Sequence, residues 1–105
     1  MHVIAKKKFL DAARIYPNEA QAIMDTYVVL RKANCQTPQQ LLAIFPTLER
    51  FTYKKDWYVI NIAGNNIRLM ALIFFQGQKV YVKHVVDHKE YDRLTPANMQ
   101  GSHSI

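Results

Sequence analysis

The chain holds a single cysteine and only three glycines among its 105 residues. With Cys35 alone, neither an internal disulfide nor a thiolate metal cluster can form. The Ala-Asn-Cys-Gln surroundings offer no histidine or helix start to activate the thiol, so Cys35 reads as a loop thiol without a chemical role. There is no glycine-rich loop to cradle a phosphate and no HExxH signature. The histidines stand at positions 2, 84, 88 and 103, and only His84 and His88 have a helical ligand spacing. A strand end is expected between those two, so neither a metal site nor a cofactor is expected. No apolar run is long enough to span a membrane, and MHVIAKKKF has too short an apolar run for a secretion signal. A cytoplasmic protein is expected.

Acidic residues are also scarce. Eight Asp and Glu against fourteen Lys and Arg leave a formal charge of +6. Divided at residue 50, each half carries seven basic and four acidic residues, 7 − 4 = +3, so the charge belongs to the folded surface rather than to a basic tail. A surface of that kind suits a polyanionic partner such as a nucleic acid.

Against these absences stands an ordinary globular composition, 50% hydrophobic and 21% charged. A chain of this size buries roughly 65% of its unfolded surface, enough for one core without a staple. One domain over residues 1–95 is expected, with a polar, flexible tail over residues 96–105.

His2 to Ala5 reads as a short strand. Phe9, Ala12, Ala13 and Tyr16 then recur at helical spacing, and Pro17 ends that helix. Asn18 three residues before Gln21 predicts a capping box, and Ala20, Ile23, Met24, Tyr27 and Leu30 form the core stripe of a second helix reaching Ala33. Thr37-Pro38-Gln39-Gln40 starts a third helix, which must stop before Pro46. Lys54-Lys55-Asp56 reads as an exposed turn.

From Trp57 onward the pattern changes to three β-type runs, Trp57 to Ile62, Ile67 to Phe75 and Val80 to Val86. Gly64-Asn65-Asn66 and Gln76-Gly77-Gln78 separate them, with Gly and Asn able to take the positive φ of tight turns. Helices in the first half and an antiparallel meander in the second describe an α+β fold, N-terminal helices packed on a small antiparallel sheet. In the middle strand Ile67, Leu69, Ala71, Ile73 and Phe75 make one wholly apolar face for the helices. Arg68 lies on the other face, with Met70, Leu72 and Phe74.

Alternation in the last strand lets only one of Lys83 and His84 share the face of Arg68, unless the strand bulges. Asp87 and Glu90 then form a capping-box pattern that puts His88 in the first turn of a helix and Tyr91 three residues on. An imidazole beside a phenol can pass a proton. Arg68, Lys83, His84, His88 and Tyr91 thus gather cations and proton-transfer groups on one sheet. Read separately, each has a structural explanation: His88 at the surface, Tyr91 as a core aromatic, Arg68 paired with Asp56 or Asp92.

The run FPTLERFTYKKDWYVINIAGNNIRLMALIFF, followed by KVYVKHVVDHKEYDRLT, resembles the HigB family of bacterial type II toxins, within the RelE-like mRNA interferases. The similarity extends from HVIAKKKFLDAARIYP through Thr95 and is carried by Phe45-Pro46, Gly64 to Arg68 and His88 to Asp92. It implies a RelE-like microbial RNase fold and a metal-independent endoribonuclease that cuts mRNA in the ribosomal A site. It further implies a HigA-type helix-turn-helix antitoxin, through which alone the toxin would meet operator DNA. RelE-like enzymes work with an arginine on a central strand and a basic or aromatic group near the C-terminus. The matching positions are Arg68, and His88 with Tyr91, and Lys83 is an additional cation.

Attack of a ribose 2′-OH on the adjacent phosphate needs a base, a cation for the growing charge and an acid for the leaving oxygen. Arg68 with Lys83 suits the phosphate, and His88 with Tyr91 suits proton transfer, acid and base being left open. His84, Lys6, Lys7, Lys8, Lys54, Lys55 and Arg93 are candidates for contacting mRNA and ribosomal RNA. Two other readings use the same residues: an RNA-binding module with exposed aromatic platforms such as Tyr58 or Tyr81, and a protein-interaction module.

Overall fold

The computed structural model describes residues 1–95, and the expected tail over 96–105 lies outside the described residues. In chain order the elements are β1 (His2–Ile4), α1 (Lys6–Ile15), a 3-10 turn (Pro17–Glu19), α2 (Ala20–Lys32) and α3 (Pro38–Ile44). They continue with β2 (Glu49–Arg50), β3 (Trp57–Ile62), β4 (Ile67–Phe74), β5 (Lys79–Asp87) and α4 (His88–Leu94). The five strands form one sheet in the order β1-β5-β4-β3-β2. The architecture is α+β.

The sheet departs from a pure antiparallel meander at one edge. β2 to β5 pair antiparallel, but β1 lies parallel to β5, His2 beside Lys79 and Ile4 beside Tyr81. Pairing between strands this far apart in sequence leaves no trace in local periodicity. Within β5, Met70 pairs with His84 and Ala71 with Val82, so Lys83 is an extra residue in a β-bulge. The bulge puts both Tyr81 and His84 on the face of Arg68, which simple alternation forbids.

The tight turns also differ from expectation. Between β3 and β4 the positive φ falls on Gly64 (69°), as expected, but also on Ala63 (54°) rather than on the asparagines. Before β5 it falls on Gln78 (55°), not on Gly77. The Gln78 side-chain amide donates to the carbonyls of Cys35 and Phe75, which holds the residue in that conformation.

The apolar face of β4 receives the helices as the alternation predicts. Ile60, Ile67, Leu69 and Val80 from the sheet are buried with Phe9, Ile23, Leu30 and Leu41 from the helices. Cys35 belongs to this core, and its burial raises the thiol pKa. Thr37 caps α3 by accepting the Gln40 N–H at 3.2 Å. The Asn18–Gln21 box does not form, because Pro17 begins a 3-10 turn that contains Asn18, whereas a cap residue needs extended backbone. Gln21 instead donates to Asp25 at 2.8 Å. The opposite face is not left bare. Phe51, Val59 and Met70 make a second, smaller core there, and Trp57, Tyr91 and Leu94 pack on it. Among the described residues no helix is long and apolar enough to cross a membrane.

Candidate active site

α4 brings the site together. Its cap is the Asp87 carboxylate, which accepts the Glu90 N–H at 2.8 Å, while the Glu90 side chain turns outward to Arg93 at 2.9 Å. From that start, Tyr91 and Leu94 reach the second core and swing the helix over β4. His88 and Tyr91 therefore stand above Arg68 because a cap sets where α4 begins and two apolar side chains set where it lies.

The Arg68 guanidinium is held on three sides. One terminal nitrogen, Nη1, donates to Asn61 Oδ1 at 3.1 Å, and the other, Nη2, lies 3.1 Å from His88 Nδ1. Its central carbon sits 4.8 Å from the centre of the Tyr91 ring, a cation–π contact. A guanidinium only donates, so the His88 contact requires the lone pair on Nδ1 and leaves the ring proton on Nε2. That nitrogen lies 3.4 Å from Asp92 Oδ2. Asp92, His88 and Arg68 thus form a chain in which a carboxylate orients an imidazole and the imidazole presents a basic nitrogen. The Arg68 Nε is buried and makes no hydrogen bond within the protein. An oriented guanidinium is what an incoming phosphate oxygen needs, and Nη1 and Nη2 are the nitrogens it would meet.

Burial raises the pKa of the Tyr91 hydroxyl, Glu49 adds to the rise and Arg68 opposes it. At neutral pH the phenol is therefore a hydrogen-bond donor, not a phenolate. A groove of about 410 Å³ opens beside it, lined by Glu49, Arg50, Tyr53, Tyr91, Asp92 and Thr95.

The other sequence candidates lie around this centre. His84 is on the face of Arg68, its ring 6.4 Å from that of Trp57. Burial lowers its pKa, and Lys8, Lys54 and Lys83 lower it further while Glu90 opposes them. Lys83 is set apart from Arg68 by the bulge and lines a second hollow of about 240 Å³ with Lys8 and His84. Lys54 stands 4.5 Å over the Trp57 ring and Lys6 stands 5.5 Å over Tyr27. Lys7 pairs with Asp11 at 2.9 Å, Arg93 pairs with Glu90, and Lys55 is exposed. Sequence reasoning misses Asn61 and the placing of Asp92 against His88. Asn61 can be found by counting back through the β3–β4 turn, which sets it opposite Arg68, and Asp92 by its position four residues after His88.

Among the described residues no three His, Cys, Asp or Glu side chains gather where they could hold a metal ion. His84 ends in β5 and His88 begins α4, so their spacing is not that of one helix.

Comparison with known proteins follows the same outline. The HigB toxin family, described as the RelE-like toxic component of a toxin-antitoxin system, matches residues 19–94. The mRNA interferase HigB of Escherichia coli O6:H1 is 42% identical over 95 residues, 90% of this chain and 92% of that protein. The mRNA interferase toxin HigB of Escherichia coli K12 and the mRNA interferase HigB of Shigella flexneri are each 39% identical, over 90% of this chain and 91% of theirs. The fold is consistent with that of a small RelE-like toxin. The chain belongs to the HigB toxin family.

Proposed function

We propose that this toxin is an mRNA interferase that cuts messages as they are translated, by attack of a ribose 2′-OH on the neighbouring phosphate. The observation that carries the reading is the Arg68 guanidinium, fixed by Asn61 and His88 over the Tyr91 ring. A scissile phosphate binding there would draw Arg68 away from His88 and neutralise the charge that grows on phosphorus. Freed from the arginine, His88 Nδ1 becomes available as the base for the 2′-OH, with Asp92 stabilising the imidazolium that forms. Tyr91 supports the guanidinium with its ring, and its hydroxyl would give a proton to the 5′ leaving oxygen as the O2′–P bond of the cyclic phosphate forms and the P–O5′ bond breaks. Lys83 and Lys8 serve phosphates further along the strand.

The same reading supplies the setting. The substrate is mRNA in the ribosomal A site, the reaction needs no metal, and the place of action is the bacterial cytoplasm. A HigA-type helix-turn-helix antitoxin neutralises the protein and links it to operator DNA.

The test is cleavage in a translating extract, mapped by primer extension. Wild type is expected to cut within codons, while folded Arg68→Ala and His88→Ala bind ribosomes and do not cut. Cutting that survives both substitutions overturns the site. A folded wild type that binds ribosomes without cutting overturns the enzyme in favour of an RNA-binding module.

A further inference from the structure

The face of the sheet that carries Arg68 continues well beyond α4. Register places Arg68, Met70, Leu72 and Phe74 of β4 on this face, with Trp57 of β3 and Lys79, Tyr81 and His84 of β5. α4 covers the Arg68 end through Tyr91 and Leu94. At the other end Phe74 is left 45% exposed, edge to face with Tyr81 at 5.9 Å and 84°. The second aromatic pair, Trp57 and His84, lies between the two ends. Arg68 and Phe74 are six residues apart on one strand, about 20 Å at the antiparallel rise.

We infer that Phe74 and Tyr81 form a base-stacking platform, a second subsite for the single-stranded RNA whose phosphate Arg68 holds. The inference rests on the mRNA interferase reading and adds where the strand runs. Exposed rings offer a π-face to any base, so they suit a strand that must be held without regard to sequence. Cations flank the route: Lys79 pairs with Phe74 across the strands, Lys54 stands over Trp57, and Lys8 and Lys83 surround His84. Acidic residues stand beside the route as well, Glu90 near His84, Asp11 in the hollow with Lys8 and Lys83, and Asp56 in the turn before Trp57, and the cations outnumber them. The other candidate tyrosine, Tyr58, is buried against Phe75 on the helix side and offers no ring face to a base.

The experiment measures binding of 2′-O-methyl oligonucleotides of increasing length, which lack the attacking hydroxyl and stay intact. Affinity of the wild type is expected to rise with length and to level off once the strand passes Phe74. Phe74→Leu and Tyr81→Leu are expected to weaken the long oligomers by roughly tenfold or more, the scale of one lost base stack, and to leave the shortest unchanged. Tyr81→Phe, which keeps a ring, is expected to bind as wild type. A single abasic nucleotide in a long oligomer should reproduce the Phe74→Leu loss and add nothing to it in that variant. Oligomers of every length binding both leucine variants as they bind wild type would overturn the platform. If Arg68→Ala still weakens binding in that case, the active-site reading survives alone. Leucine variants that lose only long-strand affinity, beside an Arg68→Ala that binds and cuts normally, support the platform and remove the site. Leucine variants that bind RNA normally but lose the antitoxin would give the rings to a protein partner and overturn the proposal.

Discussion

Arg68 has five N–H donors in a planar fork, and its value at this position depends on the plane as much as on the charge. Asn61, His88 and the Tyr91 ring set that plane before any phosphate arrives. Arg68→Ala should therefore lower the cleavage rate by about 10²- to 10³-fold, the usual cost of one oriented donor to a developing charge. Arg68→Lys should recover little of it, since an ammonium cannot occupy both ends of the fork. Single-turnover kinetics on programmed ribosomes would measure both. Tyr91→Phe keeps the ring under the guanidinium and removes the hydroxyl. It should leave KM near the wild-type value and reduce kcat, whereas Tyr91→Ala should change both.

His84 makes a different kind of prediction, about stability. Its pKa is lowered from the ordinary 6.5 by burial and by nearby lysines, so the unfolded chain takes up a proton before the fold does. The stability it contributes is present above 6.5 and is lost as pH falls from there through the lower folded value. Thermal melts between neutral and mildly acidic pH should show a decline in Tm that His84→Gln flattens. A parallel decline in both proteins would assign the acid sensitivity elsewhere.

At the scale of elements, two caps of similar chemistry have unlike consequences. Thr37 starts α3 and Asp87 starts α4, each accepting a backbone N–H three residues on. Replacing either by Ala should cost about 1 kcal/mol of stability, read from denaturant melts. Only Asp87→Ala should also slow cleavage, because α4 carries His88 and Tyr91 while α3 carries no candidate catalytic group. The bulge in β5 gives a second contrast. Removing Lys83 leaves Val82 opposite Ala71 and His84 opposite Met70 in a regular ladder, so that deletion should fold. Removing Val82 instead would press the Lys83 ammonium into the core position facing Ala71, and that deletion should not give a cooperative melt.

The same elements separate what local pattern carries from what only the assembled sheet decides. β3 and β4 are so rich in β-type residues between clear turn signals, and Asp87 and Glu90 signal α4 so directly, that the strands, the strand position of Arg68 and the helical positions of His88 and Tyr91 follow from local pattern. The bulge does not, because Tyr81 to Val86 is equally consistent with a strand that keeps its period and one that breaks it. Asn61 and Asp92 are legible as residues but not as partners of the site: one needs the hairpin register and the other the tautomer of His88. Asn18 fails as a cap for a local reason, the fixed φ of Pro17 next to it. Cys35 is a core residue through neighbours distant in sequence, among them Gln78, which donates to its carbonyl.

For the whole molecule, the charge of +6 is less important than which cations are already occupied. Lys7 and Arg93 each face a carboxylate within their own helix, whereas Lys54 stands over Trp57 on the face that carries Arg68, His84 and Phe74, and Lys83 lines the hollow beside His84. Binding to single-stranded RNA should weaken with salt, and Lys54→Ala or Lys83→Ala should reduce the slope of log K against log salt by roughly 0.7 each. Lys7→Ala and Arg93→Ala should leave that slope closer to the wild-type value. Binding titrations over a range of potassium chloride would separate the two groups.

The parallel pairing of β1 with β5 bears on when this toxin first becomes dangerous. His2 leaves the ribosome ahead of its neighbour in the sheet, Lys79, which follows 79 − 2 = 77 positions later. At a synthesis rate of about 5–20 residues per second, that interval lasts roughly 4 to 15 seconds. Throughout it the first strand has no partner, and Arg68 lacks the helix that will supply His88 and Tyr91. On the proposed site, a chain truncated before His88 should therefore not cut mRNA in a translating extract, and cutting by that fragment would show that α4 is dispensable.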